Sequence, residues 1–169
     1  RLVFEAVFED VQTKAAVFGQ IERVSGPDVL ITSNTSTISL DVLAERMEHP
    51  ERLVGMHFFS PAHRMPLVEV IRCDDTEAEA VDAGHAFVKA IGKFPLECAS
   101  SPGFVVNRVL APYMGEAMRL HEEGVALEVI DQTGVPMSEH LTRHARQRPR
   151  YDARIVCLEH DRDVVYERI

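Results

Sequence analysis

Five polar positions could do chemistry because each falls at a strand end or a helix start, where open α/β sheets bind ligands. They are Glu9, Asn34 with Ser36, His57, Glu69 and Asn107. The pair His57 and Glu69 carries a geometric argument. The apolar runs Leu53–Phe59 and Leu67–Arg72 flank the connection Ser60-Pro61-Ala62-His63-Arg64-Met65-Pro66. An antiparallel hairpin symmetric about His63 sets residue 57 opposite residue 69, with Cβ atoms about 4.5–5.5 Å apart. There a carboxylate accepts the proton on one imidazole nitrogen, fixes the tautomer and leaves the other nitrogen basic, which prepares a general base. The competing reading is a structural cross-strand hydrogen bond, since such pairs also occur for that reason alone.

The remaining candidates are more open. Asn34-Thr35-Ser36 follows a strand directly and could hold a ligand hydroxyl or carbonyl, or simply make a turn, which is the reading for Thr35 and Thr37. Asn107 could donate to a developing oxyanion or bond a neighbouring loop. Glu9 and Lys14 are five apart, so they are no standard helical ion pair; a cofactor ribose or solvent would be their partner. His140 and His144 stand at i,i+4 with no acidic or cysteine partner at ligand spacing, so a solvated face fits better than a metal site. A serine triad of Ser36, His57 and Glu69 lacks the Gly-x-Ser-x-Gly elbow that exposes a nucleophile.

The elements that position these residues alternate between strand and helix, which predicts an α/β unit with a largely parallel sheet. Leu2–Val7 reads as a strand, and Asp10 can cap a helix with apolar positions Val11, Ala15, Phe18 and Ile21. Val29–Thr32 is a second strand and Leu40–Met47 a short helix, before the two runs around His63. Thr76-Glu77-Ala78-Glu79 has capping-box spacing, and the helix it opens should stop at Gly92. Phe94–Cys98 is an edge strand by virtue of Pro95. Ser101 can cap a helix with Pro102 at its first position, running from Phe104 to Glu123 with a kink at Pro112. A domain boundary is placed near Ala99, giving segments 1–99 and 100–169; beyond Asp131 the pattern degrades.

The 169 residues carry 18 basic against 27 acidic side chains, a net charge of −9 that argues against nucleic-acid or anionic-membrane binding. No apolar run approaches the ~20 residues of a membrane span. Three widely spaced cysteines, without a C-x-x-C, suit a reduced, cytoplasmic setting and no structural zinc. The chain opens on Arg1 and reads straight into a strand, as the interior of a larger protein would.

Taken together, Glu5-Ala6-Val7-Phe8-Glu9-Asp10 with Lys14, Ser33-Asn34-Thr35-Ser36, Gly55–Pro61, Met65–Ile71 and Pro102–Arg108 resemble the L-3-hydroxyacyl-CoA dehydrogenase family. The likeness is greatest to the dehydrogenase part of multifunctional fatty-acid oxidation proteins, and it extends from about residue 2 to residue 132. It implies the C-terminal half of a Rossmann-like NAD-binding domain, followed by the start of an all-α domain. It further implies NAD as cofactor, an acyl-CoA substrate, and a homodimer or a larger multifunctional chain. By the resemblance His57 is the general base and Glu69 its orienting partner. Ser36 and Asn107 would bond the reacting oxygen and the thioester end of the substrate. Val7, Phe8, Glu9, Lys14, Asn34, Ser36 and Ser60 would line the nicotinamide and ribose, although many relatives carry asparagine in place of Ser60.

The family's opening strand and Gly-rich phosphate turn are not in the sequence, and with them goes the main anion site, so weak NAD binding by this chain alone is expected. After Gly134-Val135-Pro136-Met137-Ser138-Glu139 the resemblance dissolves. Two alternatives remain from the sequence: a related hydroxy-acid dehydrogenase such as one acting on 3-hydroxybutyryl-CoA, and a non-catalytic oligomerisation module.

Overall fold

The computed structural model describes residues 1–134, together with the backbone of two strands at 155–158 and 164–167. His140, His144 and the side chain of Cys157 lie outside the described residues. The first hundred residues contain β1 (Leu2–Glu5), α1 (Val11–Val24), β2 (Leu30–Ser33), α2 (Leu40–Ala44), β3 (Leu53–Phe58), β4 (Leu67–Arg72), α3 (Ala78–Ala90) and β5 (Phe94–Ala99). Next come α4 (Val106–Glu122), α5 (Leu127–Gln132), β6 (Ile155–Leu158) and β7 (Val164–Glu167).

The strands form one sheet in the order β5-β4-β3-β2-β1-β6-β7. Strands β1, β2 and β3 run parallel, so their carboxyl ends share one edge. Strand β4 turns back antiparallel on β3, and β5 lies parallel to β4 at the far edge. Pro95 sits there, where its missing N–H costs the ladder nothing on the open side.

Helices cover both faces, which is why the central strands read as near-continuous apolar runs. On one face Phe18 and Ile21 of α1 and Leu40 and Leu43 of α2 pack with Ile31, Leu53 and Ile71. On the other, Ala80, Val81 and Val88 of α3 pack with Val54, Met56, Val68 and Val70. Asp10 caps α1 by accepting from the Thr13 N–H at 2.8 Å. Helix α3 ends in a paired closure: Gly92, at φ 74°, donates to the Lys89 carbonyl and Lys93 donates to that of Val88.

Several expectations need correction. Helix α2 stops at Ala44 rather than Met47, and β2 lies one residue later than read. Thr76 does not cap α3. Its hydroxyl donates across to the Leu53 carbonyl at 2.9 Å and accepts from the Cys73 N–H at 3.0 Å, and Glu77 takes the cap position. Helix α4 starts at Val106, not at Pro102, because Gly103 and Phe104 both have positive φ, 77° and 48°. It runs on through Pro112.

The chain divides into two compact units. The first takes in Arg1–Phe104 with β6 and β7, and the second begins at Val105 and holds α4 and α5. Residues 100–104 therefore belong with the sheet. Strands β6 and β7 lie within the segment 100–169 that the resemblance assigns to an all-α domain, in a stretch where the sequence pattern itself degrades. No helix among the described residues is long and apolar enough to cross a membrane.

Candidate active site

The hairpin of β3 and β4 pairs His57 with Glu69 directly, flanked by Met56 with Val70 and Phe58 with Val68. The imidazole Nδ1 stands 2.7 Å from Glu69 Oε2. Glu69 is fully buried and His57 is 5% exposed. A buried carboxylate at that distance orders the ring so that Nδ1 carries the proton and Nε2 is the basic nitrogen. Two aromatic rings hold the imidazole: Phe59 at 4.7 Å between centroids, edge-on, and Phe104 at 5.7 Å, tilted. Nearby, burial and the charges of Glu69 and Glu97 push the Cys98 thiol up to about 11, so it stays neutral beside the pair.

A second polar cluster ties the carboxyl ends of β1 and β2 to α1. Glu5, fully buried, accepts from the Val7 N–H at 2.7 Å and from the Ser33 hydroxyl at 2.6 Å. The Lys14 ammonium lies 2.9 and 3.0 Å from its two oxygens and 3.2 Å from Glu9 Oε2. Lys14 is 1% exposed, and these carboxylates account for its hydrogens. Glu9 reaches over to the loop after β2, where Oε1 accepts from the Thr35 hydroxyl at 2.6 Å and from the N–H groups of Ser36 and Thr37 at 2.8 and 3.0 Å. Burial alone would raise the Glu9 pKa, but the Thr35 hydroxyl, the Thr37 N–H, the Lys14 charge and the Ser36 N–H together lower it from 4.5 to about 2.

Asn34 joins this cluster to the imidazole strand. Its N–H donates to the Glu5 carbonyl at 2.9 Å and its side-chain oxygen accepts from the Phe58 N–H at 3.0 Å. What Asn34 can offer a ligand is therefore its NH2 group. Val7 is partly buried, Phe8 is half exposed and Ser60 is exposed, all following strands that end at this edge. The structure thus brings His57 with Glu69, and Glu9 with Lys14, Asn34 and Ser36. Asn107 belongs to the second unit, as the second residue of α4.

Four residues of these clusters were missed: Glu5, Ser33, Phe59 and Phe104. A signal for Glu5 was present. A carboxylate inside the apolar run Leu2–Val7 needs a cation once buried, and Lys14 sits on the apolar stripe of its helix, three residues after Val11 and four before Phe18. For Phe104 no signal existed, since its ring meets His57 only through the fold.

Parallel strands ending beside a buried, oriented imidazole, with helices on both faces, define a Rossmann-like nucleotide-binding domain with the His57–Glu69 pair at its open edge. Comparison with known proteins gives the family. The NAD binding domain of 3-hydroxyacyl-CoA dehydrogenase matches residues 1–101 and the C-terminal domain of the same enzyme matches residues 103–138, and the chain belongs to that family. The fatty acid oxidation complex subunit alpha of Pseudomonas syringae pv. syringae (strain B728a) is 42% identical over 98% of this chain and 23% of its own length. The 3-hydroxyacyl-CoA dehydrogenase of Archaeoglobus fulgidus DSM 4304 is 40% identical, with a TM-score of 0.71 over 78% of this chain and 45% of its own. The 3-hydroxybutyryl-CoA dehydrogenase of Escherichia coli K12 is 46% identical, with a TM-score of 0.71 over 75% of this chain and 27% of its own. The chain spans about a quarter of the length of the curated relatives it matches.

Proposed function

We propose that the chain is the catalytic part of an NAD-dependent L-3-hydroxyacyl-CoA dehydrogenase, acting in fatty-acid β-oxidation within a longer, multifunctional cytoplasmic protein. The observation that carries this reading is the buried 2.7 Å contact of His57 Nδ1 with Glu69 at the carboxyl edge of the sheet. His57 Nε2 takes the proton of the substrate 3-hydroxyl, and Glu69 holds the ring and stabilises the imidazolium that results. Ser36 and Asn107 bond the reacting oxygen and the thioester carbonyl, as hydroxyl and amide donors suit a 3-oxygen that bears partial negative charge while its proton leaves for His57.

The residues at this edge fit the nicotinamide half of the cofactor. Val7 and Phe8 offer an apolar platform, Asn34 an NH2 donor and Ser60 an exposed hydroxyl. When bound, NAD supplies the hydride acceptor. Helix α1 is not its diphosphate site: Asp10 already fills that N-terminus with a carboxylate bonded to the Thr13 N–H and hydroxyl. Lys14 is turned inward onto two carboxylates, so it serves the cofactor by holding Glu5 and Glu9 in place.

The test is NAD reduction by the full-length protein with 3-hydroxyacyl-CoA substrates. His57→Gln should lower kcat by about 10²–10⁴-fold with the fold retained, as loss of a general base does. Unchanged turnover in that variant would overturn the reading in favour of a module that serves only assembly. A series from 3-hydroxybutyryl to long-chain substrates separates the short-chain activity named for the Escherichia coli relative from a general one.

A further inference from the structure

We propose that Phe104 is a positioning residue for the base: its ring forms one wall of the imidazole's seat and keeps His57 turned onto Glu69. The inference rests on the dehydrogenase reading for what the base does, and on geometry for how the ring is held. Three independent features of Phe104 converge. Its backbone lies at φ 48°, a conformation that bulky residues avoid. It is 2% exposed, within the core cluster that includes Ile71 and Cys73. Its ring lies 5.7 Å from that of His57, on which Phe59 also packs.

The local chain is built to deliver that ring. Ser100 anchors the segment on α2 by accepting the Leu40 N–H at 2.8 Å. The Phe104 N–H then closes a turn onto the Ser101 carbonyl at 2.8 Å. Consecutive left-handed residues, Gly103 and Phe104, turn the phenyl back toward the sheet instead of letting the helix begin at Pro102. A glycine at 104 would make the same backbone turn without the unfavourable conformation. A phenylalanine retained in so poor a conformation points to the ring as the useful part, because such outliers persist where the surroundings over-determine them. Among the described residues the imidazole has one polar anchor, the 2.7 Å contact to Glu69, about which it can still rotate; apolar walls remove that freedom.

The experiment compares Phe104→Ala with Phe104→Gly. Both delete the ring, but Gly tolerates φ 48° and Ala does not, so the Gly variant should be the more stable of the two. If the ring positions the base, kcat falls in both to the same extent, about 10²-fold, with KM for NAD unchanged, as for small misplacements of a reacting group. If Phe104 is merely structural, activity follows stability and the Gly variant keeps most of it, which overturns the proposal.

A second readout needs neither cofactor nor turnover. In the 169-residue chain with 15N-labelled histidine, His57 should show one tautomer protonated on Nδ1, and both variants should show an average of two. Retention of the single tautomer in both variants overturns the proposal, even if the wild-type chain proves inert and the dehydrogenase reading fails. Should neither variant fold, the unaltered chain decides. A nuclear Overhauser contact between the Phe104 and His57 rings is expected, and its absence sinks the idea. Phe18→Leu, a core change elsewhere, should lower stability and leave the His57 signals in place.

Discussion

Lys14, Glu5 and Glu9 illustrate how one ammonium can organise a site without touching its reaction. Two carboxylates close together repel each other unless a cation stands between them, and leaving such a charge unpaired in the interior is costly. Lys14 answers both while it bonds Glu5 and Glu9. Glu9 spends its other oxygen on the turn that carries Ser36. A pH dependence follows with a definite sign. The folded Glu9 pKa, about 2, lies below its ordinary 4.5, so this group adds stability that is fully present above pH 4.5 and lost as pH falls toward 2. Glu9→Gln lacks that increment. Urea midpoints of the two proteins should therefore differ most near pH 6 and converge as the pH is lowered through this window. A constant gap from pH 6 to pH 2.5 would show that the Glu9 charge is not what holds the turn.

At the scale of elements, the β3–β4 hairpin sets the dyad, and its register is guarded by a close approach. Gly55 pairs with Ile71, two residues from the dyad on each strand. A Cβ on Gly55 would come within 2.9 Å of the Ile71 Cβ and Cδ1. Gly55→Ala should thus push the strands apart and cost about 1–3 kcal/mol, as overpacking does. Ile71→Val, which removes Cδ1, should recover part of that loss in urea unfolding. This hairpin was legible in the sequence because its apolar runs are long and its connection is symmetric about His63. Less legible were the segments whose polar groups have distant partners. The Thr76 spacing fits a capping box, but the Leu53 carbonyl 23 residues away captures its hydroxyl. Ser101-Pro102 fits a helix start, but the burial of Phe104 against the sheet delays α4 to Val106. Local propensity lost in both places to a tertiary contact that no spacing announces. The Glu5–Lys14 cluster lies between these cases: a carboxylate in an apolar run and an ammonium on an apolar helical stripe can be matched from the sequence, but the contacts with Ser33 and Glu9 that complete it cannot.

For the whole molecule, burial is shared unequally between the two compact units. The first holds two apolar clusters, one on each face of the sheet, that include fully buried Phe18, Ile31, Leu43, Leu53, Met56, Val70 and Ile71. Among the described residues of the second unit, only Ala117 and Ile130 are buried, with Met114, Leu120, Val125 and Leu127 packed partly against them. Full burial of one large aliphatic side chain contributes about 1.5–3 kcal/mol. Ordering the 17 residues of α4 and the 6 of α5 opposes folding by roughly 1–2 kcal/mol of backbone entropy per residue. Hydrogen bonds within the helices offset part of that, yet helices rely on packing of an apolar face for most of their stability. Val109, Leu110, Tyr113 and Met118 of α4 leave much of that face exposed. Native-state hydrogen exchange on the 169-residue chain should accordingly divide in two. Amides of β1–β4 should exchange only with global unfolding, whereas those of α4 and α5 should open at a free energy several kcal/mol lower and with a smaller denaturant dependence. Raising the concentration until a second copy or a partner covers α4 should lift the protection of the second unit alone, by mass action. Equal protection of α4 and β3 in the dilute chain would mean that the two units fold as one cooperative body, with the domain that carries Asn107 as firmly set as the sheet that carries His57.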